Sequence, residues 1–315
     1  MAGRRFLLYF AWNRPAECDI DLGNLENRYP TLFEFRRALW PMFDQLRSKP
    51  DQLVGGFLDH IVLSDFERFR QVIKEVTGEE VQLLQRVLDT NIESQLNQKM
   101  IEEFDTVIVV SLDHFRTEQA AADVEVEFLK EFLSREDKCV LICPHHDIGE
   151  RGNLQEVEFQ HHGDRLVPAQ QRIGGFAKSL LAGLGYPVLN QYGLNPLADE
   201  TGSPSKLIIN HDLDSSSILQ NVTTFNLHPH LPHLFVPAEI SSCVNVLARQ
   251  AINLNGQGQE RHPFVEAGNR YFNALLQINA SELAGALYIC DATLWSSAFG
   301  GEESLVQFWN NLANL

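Results

Sequence analysis

Apolar residues fall into two kinds of run along this chain, and the difference between them predicts the fold. Residues 6–12, 106–112 (TVIVVSL) and 139–143 are short and almost continuously apolar, the pattern of strands covered on both faces. Between them, apolar positions recur at helical spacing. Leu32, Phe35, Leu39, Phe43 and Leu46 follow a capping box formed by Thr31 and Glu34, with Pro41 predicting a kink or an end. Helical spacing then dominates from about 53 to 97. Phe66, Phe69, Ile73 and Val76 form one stripe, and Val81, Leu84, Leu88, Ile92 and Leu96 form another beyond Gly78. Further helices are predicted at about 117–135 and at 168–184, the second closed by Gly185 at its C′ position. Shorter strands are predicted at 206–209, 222–227, 244–248 and 286–290. A last helix is predicted over about 302–312, its acidic first turn matching the helix dipole.

Strands alternating with helices imply parallel pairing and right-handed crossovers, hence an α/β protein with a doubly wound, mostly parallel sheet. No repeat or linker-like stretch divides the text. The expectation is one domain over 1–315, carrying a helical insertion at about 50–98.

Composition narrows the partners. Apolar residues make up 44% of the chain and charged residues 21%, enough to bury a sizeable core. The formal charge of -17, from 42 acidic against 25 basic residues, repels phosphate backbones and anionic lipid. Nucleic acid and membrane are therefore not expected as partners, whereas a small-molecule ligand is. The apolar run behind Arg4 and Arg5 is too short for a signal peptide or a span and reads as a buried first strand. Five cysteines (Cys18, Cys139, Cys143, Cys243, Cys290) without CxxC spacing read as free thiols in a reducing compartment, which predicts a cytoplasmic protein.

Candidate chemistry follows from the strand ends, because open parallel sheets bind ligands beyond the carboxyl ends of their strands. Asn13 and Arg14 follow the first strand, as candidate substrate-binding residues. Asp113 and His114 follow the 106–112 strand, and His145, His146 and Asp147 follow the 139–143 strand. His228, His230 and His233 follow the 222–227 segment, Asp291 follows the last strand, and His161 and His162 sit in the loop after Asp147. Eight of the eleven histidines fall in these places; His60, His211 and His262 do not. Imidazole and carboxylate together ligate zinc, iron or manganese, and histidine is the usual general base near neutral pH. The expected metal ligands are thus His145, His146, Asp147, His161, His162, His228, His230 and His233. Asp113, His114 and Asp291 are the expected proton carriers or orienting groups. No HExxH, EF-hand loop, GxGxxG or GKS/T occurs, and PHH after Cys143 is no glycine-flanked nucleophile elbow.

Several segments carry a family resemblance. FDTVIVVSLDHF, an amphipathic helix, then DKCVLICPHHD resembles the central unit of class I glutamine amidotransferase-like domains. LNPLADETGSPSKL, NVTTFNLHPHLPHL, VNVLARQ and the closing ALYICDATLWSSAFGGEESLVQFWNNLANL resemble the GldG-type branch, and the histidine at position 145 resembles the related ThuA-type branch. The resemblance implies a flavodoxin-like sheet. It does not bring glutaminase activity, because the glycine-flanked nucleophilic cysteine of that family is missing here.

Two functions fit these residues. The histidine distribution favours a metal-dependent enzyme, a hydrolase of a small polar or amide-containing substrate. The resemblance favours a non-catalytic module that binds a ligand, or that binds a protein partner or a second copy through the helical insertion.

Overall fold

A computed structural model describes residues 3–13, 16, 66–88, 92–148, 172–255 and 262–315. The 31–46 helix, Arg14, Cys18, His161, His162 and residues 50–65 of the expected insertion lie outside the described residues.

The chain is an α/β protein built on an eight-stranded, mostly parallel sheet. Five parallel strands come first: β1 (Phe6–Asn13), β2 (Gln82–Val87), β3 (Thr106–Ser111), β4 (Cys139–Pro144) and β10 (Ala286–Cys290). They lie in the order β2-β1-β3-β4-β10. The sheet then continues antiparallel through β9 (Tyr271–Ile278), β8 (Val244–Ala251) and the short β6 (Ile208–Ile209). A second, two-stranded sheet pairs β5 (Leu189–Leu194) with β7 (Leu231–Phe235).

Alternation along the central strands divides the core into two layers. Phe6, Leu8 and Phe10 of β1, with Ile108, Leu141 and Tyr288, face α1 (Glu67–Thr77) and α4 (Glu302–Ala313). Leu7 and Tyr9, with Val107, Val140 and Ile289, face α2 (Asp123–Leu133) and α3 (Gly175–Gly183). Every residue of β3 and β4 is buried, which explains their uninterrupted apolar text. On the first layer, the Phe69 ring lies 5.1 Å from Trp295 and 5.6 Å from Trp309, tying α1 to the carboxyl-terminal helix.

Helical spacing beyond Gly78 was misleading. Residues 82–87 form edge strand β2, paired in parallel with β1 from Leu7↔Gln82 to Asn13↔Val87. Gly78 ends α1 in the left-handed conformation (φ 77°), and the next segment satisfies its backbone against β1 rather than within a turn. Leu83 and Leu88, apolar stripe members or neighbours, stay exposed. Residues 222–227 form no strand either. The Thr223 and Thr224 amides both donate to Ser304 Oγ at 2.9 Å, and Leu227 N donates to the Phe299 carbonyl at 2.8 Å. Side chains and loops take the place of a neighbouring strand along this segment.

Strands β5, β7 and β9, like β2, are not predicted by the pattern of apolar positions. The 168–184 helix starts only at Gly175, and the 117–135 helix is Asp123–Leu133. A cavity of about 650 Å³ lies at the far sheet edge, between residues 208–213 and β8. None of the candidate histidines among the described residues lines it.

Candidate functional site

Strands β4 and β10 are parallel neighbours, with Ile142 opposite Ile289. Their following residues therefore emerge side by side, and His145 Nδ1 lies 2.8 Å from Asp291 Oδ2. Asp291 is anchored from its other oxygen. Its Oδ1 accepts from Thr293 N at 2.8 Å and from Thr293 Oγ1, so the carboxylate also caps the 3-10 turn Ala292–Trp295. Burial works against a charge on Asp291, but the adjacent His145 ring and the Thr293 donors outweigh it and hold the carboxyl below its ordinary range. An ionised carboxylate only accepts, so His145 Nδ1 carries a hydrogen, and in the neutral ring the lone pair is on Nε2.

Three further imidazoles pack around this pair. The His145 centroid lies 4.4 Å from His146 and 5.0 Å from His228, both edge-on, and His146 lies 5.5 Å from His230. His228 is closed on its other side by Phe299, 4.3 Å away. It is half-buried as a residue, yet its Nδ1 is sealed from solvent and has no hydrogen-bond partner. Burial, reinforced by the His145 ring, pushes its pKa down to about 3, so it is neutral near pH 7. His230 is buried and held at φ 70°, a left-handed conformation uncommon for a residue with a Cβ.

Side chains that sequence reasoning overlooked hold these segments in place. Asn190, buried on β5, donates through Nδ2 to the Ile173 carbonyl at 2.8 Å and also to the His145 carbonyl. Asn226 joins the His228 segment to Thr293. The Asp291-Ala-Thr293 spacing, in which an Asp caps the amide two residues on, was a readable signal for the turn. Nothing local marked Asn190 or Asn226.

The remaining expected residues serve elsewhere. His233 is on β7, paired with Gln191 of β5; its Nδ1 accepts from Asn273 N at 3.2 Å, and its ring packs 4.6 Å from Phe264. Asp147 does not join His145. It pairs with Arg172 Nε at 2.9 Å and Lys178 Nζ at 2.8 Å. Asp113 takes Ser111 Oγ at 2.5 Å and Phe176 N at 2.9 Å, anchoring the first turn of α3. The carboxylate expected to carry protons is a buried helix anchor. His114 is buried against Phe115, and Asn13 Oδ1 accepts from Ala16 N at 3.0 Å in a local turn.

Cys143 is fully buried beneath the site, 3.6 Å from Cys290 Sγ and 3.4 Å from Trp295 Nε1, facing the core. Among the described residues, no three His, Cys, Asp or Glu side chains are grouped as a metal site. Nor is any helix among them long and apolar enough to cross a membrane. No protein-family model matches the chain, and no curated protein matches it.

Proposed function

We propose that the chain is a hydrolase of a small polar or amide-containing substrate, with His145 as general base and Asp291 as its orienting carboxylate. The observation that carries this reading is the 2.8 Å bond from His145 Nδ1 to an Asp291 carboxylate whose other oxygen is itself held. That arrangement directs the basic Nε2 outward from the dyad. His145 Nε2 would take a proton from water as the water attacks the substrate carbonyl, then return it to the leaving group, a role worth about 10²–10⁴ in rate. Asp291 stabilises the imidazolium formed in between without accepting the proton itself.

The order β2-β1-β3-β4-β10 supports a flavodoxin-like sheet, and with it the proposed kinship to amidotransferase-like domains. The buried, core-facing Cys143 agrees with a non-glutaminase chemistry. Free thiols and the acidic surface agree with a cytoplasmic protein that avoids nucleic acid and membrane.

A second reading is favoured by one atom, the sealed, unpartnered His228 Nδ1. A divalent zinc, iron or manganese ion would have His145 Nε2 and His228 Nδ1 as imidazole donors, the first on a ring already backed by a carboxylate as metal-bound histidines are. Bound there, it would supply Lewis acidity and acidify a water. Two nitrogens are fewer than structural or catalytic zinc sites use, so the dyad alone carries the first reading.

The test is a hydrolysis screen over small amides and esters with wild type, His145→Gln and Asp291→Asn, alongside metal analysis of untagged protein. Turnover that both substitutions abolish supports the dyad. Turnover that survives both overturns it. Stoichiometric metal that is lost in His228→Ala would favour the second reading.

A further inference from the structure

Asn226 is fully buried and touches both halves of the site. Its Nδ2 donates to the Thr293 carbonyl at 2.8 Å and to Thr293 Oγ1 at 3.2 Å. Its Oδ1 accepts from the His228 amide at 3.2 Å. These partners distinguish the two ends of the carboxamide, since the reversed orientation would set Nδ2 against an N–H and Oδ1 against a carbonyl. The Asn226 carbonyl in turn accepts from Gln250 Nε2 at 3.1 Å, which fixes the segment from the β8 side.

Direction then passes along the chain of bonds. Thr293 Oγ1 accepts from Asn226 and gives its own hydrogen to Asp291 Oδ1. The carboxylate thereby presents Oδ2 to His145 Nδ1. Each link has one donor and one acceptor, and no member is left with two donors or two acceptors opposed.

We propose that Asn226 and Thr293 are positioning residues, which orient Asp291 and keep His145 in the tautomer with hydrogen on Nδ1 and the basic lone pair on Nε2. Asn226 does this while seating the His228 backbone, so one carboxamide sets the relation between the two imidazoles. The consequence for catalysis rests on the reading of His145 as general base; the tautomer does not.

The experiment uses the full chain with ¹⁵N-labelled histidine side chains at about pH 8, where a histidine of ordinary pKa is neutral. Two-bond ¹H–¹⁵N correlations separate Nδ1–H from Nε2–H rings, and His145 is assigned by the signal lost in His145→Gln. Wild type should show His145 as Nδ1–H with a downfield, slowly exchanging proton. Thr293→Val, nearly isosteric but without the hydroxyl, should weaken that proton signal and populate the other tautomer, and Thr293→Ser should restore the wild-type pattern. Asn226→Leu should act in the same direction. Where a hydrolysed substrate is in hand, kcat should fall roughly 10–100-fold in Thr293→Val and Asn226→Leu with KM little changed. An Nε2–H ring in wild type overturns the proposal, as does an unaltered His145 signal in Thr293→Val. Failure of Asn226→Leu to fold leaves the Thr293 pair to decide. A signal that changes as expected in a protein with no hydrolytic turnover keeps the positioning roles and removes the hydrolase reading; turnover with an unmoved signal does the reverse.

Discussion

A Cβ placed on Gly174 would stand 3.0 Å from Asn190 Nδ2, 3.2 Å from Pro144 Cβ and 3.3 Å from His145 N. Gly174 also sits at φ 87°, in the left-handed region. The backbone that presents His145 is thus packed directly on a position where only glycine fits.

Gly174→Ala is therefore expected to lower stability by roughly 2–4 kcal/mol, from the left-handed backbone and the crowding together. Gly185→Ala is the control, because Gly185 has a similar φ of 91° and open space around its Cβ position. It should lose roughly 1–2 kcal/mol. Urea midpoints of the two variants give the comparison, and equal losses would show that contact with Asn190 is immaterial.

Asp291→Asn should keep the fold at some cost in stability while reducing turnover by about 10³–10⁴, since an amide no longer selects the Nδ1–H form of His145. A fall of less than about tenfold in kcat would place the proton transfer elsewhere.

Asp113→Ala should do the opposite. Removing the acceptor strands Phe176 N and Ser111 Oγ at the buried start of α3, about 1–3 kcal/mol for each donor left without a partner. Turnover per folded molecule should hold. Specific activity falling as steeply as in Asp291→Asn would return Asp113 to the chemistry.

Acid should weaken the fold earlier than carboxylates alone would. Folding lowers the pKa of His228 to about 3 and of His233 to about 4, the latter through burial and then the nearby Arg249 charge. Their unfolded values are about 6.5, so below that pH the unfolded chain takes up protons that the folded chain refuses. Stability from this source is whole above about pH 6.5 and is lost as pH falls toward 4. At pH 5 the loss is at most about 2 kcal/mol for each ring. Asp105 and Asp291, both held below their ordinary range, add a second loss below about pH 4. Urea midpoints that stay flat from pH 7.5 to 5 would refute the histidine stage, and His233→Gln should flatten part of it.

How far the sequence was legible depended on whether a signal was local. Strands buried on both faces announced themselves: 286–290 matches β10 and 106–112 misses β3 by a single residue. Edge strand β2 did not, because Val81, Leu84 and Leu88 fit a helical period as well, and pairing with β1 decided the outcome. The same logic governs the site. His145 and Asp291 were readable as residues after strands, and adjacency of β4 and β10 brought them together. His233 shares the HPHLPH run with His228 and His230, but it lies inside β7, which starts at Leu231, and pairing of that strand with β5 sets its ring against Phe264 instead. Asn226 and Asn190 act through geometry between distant segments, which no local pattern encodes.

The two partners of the dyad are 146 positions apart in the chain, and the later one follows the strand that fills the gap between β4 and β9. Until 286–290 has been made and inserted, β4 lacks one flank, and the antiparallel strands have no parallel edge to join. A nascent chain stalled before that point would hold His145 without its carboxylate. Pairing of these two groups therefore reports that residues 286–290 have been made and that the sheet has closed around them.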